Sequence, residues 1–159
     1  MTYSRPVKLL IAVGFSLSAG AIGSIFTAMS VGTWLPTLIK SALYPPAWLF
    51  GPVWTVLYIL MGVAAYFVWD NSRVMKEEKK RALEIFALQL VLNASWSVLF
   101  FGAQSPFLAL ICIVLLWLSI LWTIVAFSWI SRPAAWLLAP YFAWVAFATY
   151  LNAAIWALN

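Results

Sequence analysis

The side chains best placed to do chemistry in this chain are aromatic and amide groups, not acids and bases. Eleven of its 159 residues are tryptophan. Interfacial belts account for tryptophans at the ends of membrane spans, but Trp54, Trp96, Trp117 and Trp144 lie inside or near the middle of apolar runs. Three sets of residues fall at helical i, i+3, i+4 spacing. Gln89, Asn93, Trp96, Ser97 and Phe100 form one polar and aromatic stripe. Trp54, Tyr58 and Met61 form a second, and Tyr141, Trp144, Ala148 and Asn152 a third. An amide in lipid is costly unless paired, so the first stripe should face the interior of a bundle. Helix packing alone would produce such stripes. Three of them converging on one centre would make an aromatic pocket with a few polar groups, the usual character of a small-molecule site.

The composition excludes much else. There is no histidine, which removes histidine-ligated haem and histidine-containing metal sites. Four carboxylates and one thiol do not cluster at metal-ligand spacing, so no metal is expected. No nucleophile stands beside a base, and no ionisable group sits mid-span, which argues against acid–base hydrolysis and ion-coupled transport. Cys112 lies mid-helix without an intrachain partner and reads as a small buried hydrophobe. The net charge of +5 arises from residues flanking apolar spans, a topology signal and not a nucleic-acid face.

The elements that must position the stripes are membrane helices. The chain is 66% apolar and 8% charged, whereas a soluble domain carries about a quarter charged residues. Five spans approach the ~20 residues needed to cross the hydrocarbon core, at roughly 7–29, 51–69, 82–101, 107–129 and 134–158. Period-2 alternation is absent, so the expectation is an all-α, five-transmembrane-helix bundle in one domain covering 1–159. Pro6, Pro52, Pro106 and Pro133 sit near span starts, where a missing N–H costs nothing. Pro140 lies within the fifth span and should kink it. The first run is too long for a signal-peptide core and reads as a retained helix.

Charge sets the orientation. Arg5, Lys8, Arg73, Lys76, Lys79, Lys80, Arg81 and Arg132 share one side and only Lys40 lies on the other, which predicts a cytoplasmic N-terminus. The 70–81 loop reads as a solvated connector with helical ends, or as a contact for anionic lipid headgroups. The loop at 30–50 is long and apolar, stiffened by Pro36, Pro45 and Pro46. It either folds back as a lid or lies in the headgroup layer. In the first span, Gly14, Ser16, Ser18, Gly20, Gly23 and Ser24 permit close helix approach, within the bundle or across a dimer.

Several motifs together resemble one family. Trp34, Leu38 and Lys40 lead into Pro45-Pro46; Gly51–Tyr58 reads GPVWTVLY; Leu92–Gly102 reads LNASWSVLFFG; Ala135–Asn152 reads AWLLAPYFAWVAFATYLN. In order and spacing they resemble the TspO/MBR family, the tryptophan-rich sensory or translocator proteins. The resemblance implies a receptor or sensor that binds porphyrins such as protoporphyrin IX and haem, or similar flat hydrophobic ligands, under the first loop, with no required cofactor. It implies a homodimer in a lipid bilayer, here a bacterial inner membrane. The implied ligand-binding residues are Leu35, Pro45, Trp54, Tyr58, Asn93, Trp96, Ser97, Phe100, Trp144 and Ala148. Two other activities come with the family: light- and oxygen-dependent porphyrin breakdown, in which Trp54 and Trp144 would act as catalytic electron relays, and tetrapyrrole transport. Lys40 could then meet a porphyrin carboxylate.

Overall fold

The computed structural model describes residues 3–159, and every element in them is helical. The helices are α1 (Arg5–Ser30), α2 (Ala47–Trp69), α3 (Lys76–Ser97), α4 (Pro106–Ile130), α5 (Arg132–Leu137) and α6 (Ala139–Leu158). α5 and α6 together make the fifth apolar span, Arg132–Leu158, and five spans in all are long and apolar enough to cross a membrane. α1 packs on α2 and α3, while α4 packs on α3 and α6. The outward faces carry large apolar side chains, among them Leu10, Phe15, Ile25, Leu115 and Leu118. Such faces suit lipid, where every backbone polar group must be satisfied within the helix.

Local sequence explains the helix ends. Ser105 caps α4 by accepting the Leu108 N–H at 3.4 Å, with Pro106 as the first helical residue. Ser131 caps α5 by accepting the Ala134 N–H at 3.4 Å. The fifth span breaks at Leu138, two residues before Pro140, as a proline within a helix requires. Two starts differ from the sequence expectation. α2 begins at Ala47 and not at Gly51, which leaves Pro52 in its second turn. There Pro52 cannot donate to the Trp48 carbonyl, and the deficit is tolerated at an exposed helix end. α3 begins at Lys76, six residues before Ala82, because Glu77 and Glu78 in its first turn favour the positive end of the helix dipole. The loop at the basic end is correspondingly short.

At that end Asp70, just past α2, joins two cations on α1. Lys8 Nζ donates to its Oδ1 at 2.8 Å, and Arg5 Nε lies 3.2 Å from its Oδ2. The Lys8 hydrogen bond, with the charges of Lys8 and Arg5, holds the Asp70 carboxyl below its ordinary range. A depressed folded pKa stabilises the fold above the ordinary carboxylate range, and the contribution disappears as pH falls through the depressed value. Asp70→Asn is therefore expected to lower the detergent unfolding midpoint at neutral pH. Wild type and variant should converge in strong acid, and a gap that persists there would contradict the account.

Below the midplane the bundle is tightly filled. Met61, Ala64 and Val68 of α2 meet Phe86 and Leu90 of α3 and Ile113, Leu116 and Ile120 of α4. Phe86 stacks on Phe127 at 5.8 Å between ring centres. A β-carbon on Gly62 would lie 2.4 Å from the Val13 Cα and 2.9 Å from its nitrogen, so α1 and α2 touch backbone to backbone there. Small residues allow that approach. Towards the other end the two helices are separated by side chains, and the space between them is not filled.

Candidate ligand cavity

That space is a cavity of about 590 Å³, bounded by α1, α2, α3, α6 and the loop between α1 and α2. Its size falls within the range of small-molecule sites, roughly 300–1,000 Å³. Of the ten candidate binding residues, eight line it: Leu35, Trp54, Tyr58, Asn93, Trp96, Ser97, Phe100 and Ala148. Pro45 and Trp144 are not part of the lining. Trp144 stands one layer back, its ring edge-on to Phe50 at 5.9 Å, and Phe50 faces the cavity in its place.

Each wall has a local cause. α3 leaves regular geometry at Val98–Gly102, where it becomes a π-helical turn. The extra residue in that turn lets consecutive aromatics face inward, a device common at functional sites. Phe100 and Phe101 are both buried, 4.9 Å apart between ring centres. Trp96 stacks on Phe100 at 5.2 Å, and Trp34 of the loop meets Phe100 edge-on at 5.4 Å. Trp54 lies 5.6 Å from the Tyr58 ring and 6.2 Å from the Tyr141 ring.

The loop packs against the end of the cavity through part of its length, while Ile39 and Leu43 stay exposed. Its short 3₁₀ turn, Leu35–Thr37, buries Leu35 to 6% exposure against the loop end of the cavity. Ser30 Oγ donates to the Phe101 carbonyl at 2.7 Å and fixes the start of the loop. Asn159 fixes its middle: the Ile39 N–H donates to Asn159 Oδ1 at 2.9 Å, and Asn159 Nδ2 donates to the Ile39 carbonyl at 3.1 Å. Lys40 does not reach the cavity. Its ammonium donates to the Leu38 carbonyl at 3.0 Å and lies 5.9 Å from the centre of the Tyr44 ring. Tyr44 does line the cavity, and burial pushes its phenol pKa up, so it remains protonated at neutral pH.

In the walls the side chains of Tyr58, Asn93, Trp96 and Asn152 are already partnered. Tyr58 donates its hydroxyl hydrogen to Asn93 Oδ1. Asn93 Nδ2 donates to Tyr141 Oη at 3.0 Å, and Tyr141 donates to Gln89 Oε1 at 2.8 Å. Trp96 Nε1 donates to Asn152 Oδ1 at 2.9 Å, while Asn152 Nδ2 donates to the Pro106 carbonyl at 2.8 Å. These bonds cross between α2, α3 and α6 and hold the aromatic walls in register. The lining presents no ionisable side chain other than its two tyrosines, Tyr44 and Tyr58. No group of three or more metal-ligating side chains occurs among the described residues.

The α1 wall was not foreseen as part of a site. Leu17, Gly20, Gly23, Ser24 and Thr27 line the cavity. A β-carbon on Gly20 would come within 2.3 Å of the Tyr58 ring, and one on Gly23 within 2.9 Å of Ser97 Oγ. The small residues that sequence left open between bundle packing and a dimer face thus serve the bundle at these two positions. Gly14 meets nothing within 4 Å. The exposed members of the lining lie mainly on α1 and α2: Ala21, Ser24 and Ala28 against Ala47, Gly51 and Thr55. They run from the loop ends of the two helices, at Ala28 and Ala47, to Ala21 and Thr55, about two turns in. The cavity therefore opens sideways between the loop-end halves of two apolar helices.

A five-span helical bundle with an aromatic cavity beneath its first loop defines a class of multi-pass integral membrane proteins. Comparison with known proteins narrows the class. The TspO/MBR family model matches residues 12–157, and the chain belongs to that family. It is 46% identical over 153 residues to the tryptophan-rich protein TspO of Chlorobaculum tepidum, covering 96% of each chain. It is 42% identical to the protein of the same name from Archaeoglobus fulgidus, covering 96% of this chain and 97% of the other. It is 38% identical over 151 residues to the human translocator protein, covering 93% and 89%. The family read from the loop and helix motifs is thereby established across nearly the whole chain.

Proposed function

We propose that this protein is a membrane receptor that binds a flat, largely apolar tetrapyrrole, such as protoporphyrin IX or haem, in the cavity beneath the α1–α2 loop. The observation that carries the reading is the cavity itself, walled by Trp54, Trp96, Phe100 and Tyr58 and capped by Leu35. Aromatic faces hold a planar ligand by stacking, each pair contributing about 0.5–1.5 kcal/mol beyond the area it buries. The opening between α1 and α2 lets such a ligand enter from the lipid. The basic end faces the cytoplasm of a bacterium, and the protein works in the inner membrane as a homodimer, with no nucleic-acid partner. No cofactor takes part.

A second reading, photo-oxidative breakdown of the bound porphyrin, is favoured by the position of Trp54. Its indole lies in the cavity wall beside two phenol rings. There it can give one electron to a photoexcited porphyrin, which passes that electron to dioxygen; the oxidised indole then recovers an electron from the porphyrin, and the porphyrin radical cation combines with the superoxide, so that dioxygen is the net oxidant. Trp144 would contribute only from the layer behind.

One experiment separates the readings. Protoporphyrin IX is titrated into the detergent-solubilised protein in the dark, followed by tryptophan fluorescence, and the complex is then illuminated. Saturable quenching with stable porphyrin absorbance is the result expected of a receptor. Protein-dependent bleaching that Trp54→Phe slows at least tenfold would establish the second reading, and absence of quenching would contradict both.

A further inference from the structure

The buried hydrogen bonds at the floor of the cavity run in one direction, and a methionine sets that direction. A thioether sulfur accepts hydrogen bonds and never donates them. Gln89 accordingly turns its amide nitrogen to Met61, with Nε2 3.8 Å from Sδ, and its carbonyl oxygen away. That oxygen accepts from Tyr141 at 2.8 Å, so the Tyr141 oxygen is free to accept from Asn93 Nδ2 at 3.0 Å. The Asn93 carbonyl oxygen then faces Tyr58, whose hydroxyl hydrogen is drawn inward to it. Met61 and Tyr141 are fully buried and Gln89 is 1% exposed, so solvent does not reorient the chain from its far end. Reversing it would set the Gln89 carbonyl against the lone pairs of the sulfur.

Only Tyr58 and Asn93 of this chain line the cavity. With its hydrogen engaged by Asn93, the Tyr58 oxygen offers lone pairs alone. We infer that the chain anchored on Met61 makes Tyr58 a hydrogen-bond acceptor towards the cavity, so that the protein selects flat ligands bearing a hydroxyl or N–H donor over isosteres that only accept. Tyr58 is then the residue that reads the ligand, and Met61 a positioning residue that acts through Gln89, Tyr141 and Asn93. The inference rests on the cavity being the ligand site, and it adds a chemical preference to that reading.

The test compares 1-hydroxypyrene with 1-methoxypyrene, two flat fluorescent probes that differ in one donor. Affinities are measured in detergent for wild type, Tyr58→Phe and Met61→Leu, with displacement by protoporphyrin IX as a control. The preference of wild type for the hydroxyl probe, divided by that of Tyr58→Phe, is expected to be roughly threefold to tenfold, the weight of one buried neutral hydrogen bond. Met61→Leu keeps the side-chain volume and removes the acceptor that orders the chain, so its preference should fall towards that of Tyr58→Phe. Should Met61→Leu fail to fold, the comparison of wild type with Tyr58→Phe decides. Equal preferences in all three proteins would overturn the inference and leave the cavity reading intact. So would a wild-type preference for the methoxy probe, which would assign recognition to a donor of the lining such as the Trp54 N–H, the Ser97 hydroxyl or the remaining amide hydrogen of Asn93. Binding of protoporphyrin without either pyrene would overturn the inference alone. Failure of all three compounds to bind would overturn the cavity reading with it.

Discussion

Gly62→Leu is expected to lower the stability of the bundle by about 3 kcal/mol, at the upper end of the usual cost of overpacking. The atoms that a new side chain would strike are the Val13 Cα and nitrogen and the Ala12 carbonyl, all within 3.0 Å of an added β-carbon. Backbone cannot move aside as a side-chain tip can, so α1 must lift away from α2. α1 carries one wall of the cavity, and the same substitution should weaken protoporphyrin binding at least tenfold. Gly14→Ala is the control. It lies on α1, the helix that Gly62 packs against, with open space around it, and removing a helical glycine there should leave stability unchanged or raise it by about 0.5–1 kcal/mol. Unfolding midpoints in detergent for the two variants check the prediction. Equal midpoints would mean that the close approach of α1 and α2 does not hold the bundle together.

The second large effect is expected at Trp96. Trp96→Ala removes the ring that stacks on Phe100 and meets Phe101 edge-on at 5.9 Å. It also deprives Asn152 of a donor at a position that is 2% exposed. Large-to-small aromatic substitutions in cores cost about 3–5 kcal/mol, and Trp96 is only half-buried, so about 3 kcal/mol is expected. Trp96→Phe keeps the stacking and loses the indole N–H, and about 1 kcal/mol is expected for it. Chemical unfolding of the two variants should separate them by about 2 kcal/mol. Equal losses would assign the whole effect to the hydrogen bond.

Much of the fold was legible because the bilayer imposes it. Apolar runs long enough to span, and a bias of eight basic residues to one side, gave five helices and their alternation. Pro140 marked the break in the fifth span. The features missed are those in which geometry departs from the period of an ideal helix or in which a surface consists of missing atoms. Nothing in VLFFG announces a π-helical turn, so Phe101 was not paired with Phe100 as a wall residue. Trp144 is three residues from Tyr141, which places it about 60° round the helix from that residue at 100° per residue. Leu151 and Ile155, which line the cavity, share the side of Trp144 about two and three turns further on, so it is position along the helix that puts Trp144 outside the lining, where Phe50 packs on it. The α1 wall has no aromatic or amide stripe. Gly20 and Gly23 contribute by leaving room for Tyr58 and Ser97, and spacing alone does not say which neighbour a glycine accommodates. The polar stripe of α3 was read correctly as facing inward. Its amides hold the helices to one another, a role that sequence could not separate from direct contact with a ligand.

The measurement that bears most directly on the central claim is a protoporphyrin IX titration of wild type beside Ala148→Phe. Ala148 lines the cavity and is 8% exposed, so a phenyl ring there would take up cavity space. The account predicts that Ala148→Phe keeps its helical circular dichroism and its unfolding midpoint while its affinity for protoporphyrin falls at least tenfold. Wild-type affinity in a folded Ala148→Phe would contradict it, because the porphyrin would then be binding somewhere other than the cavity.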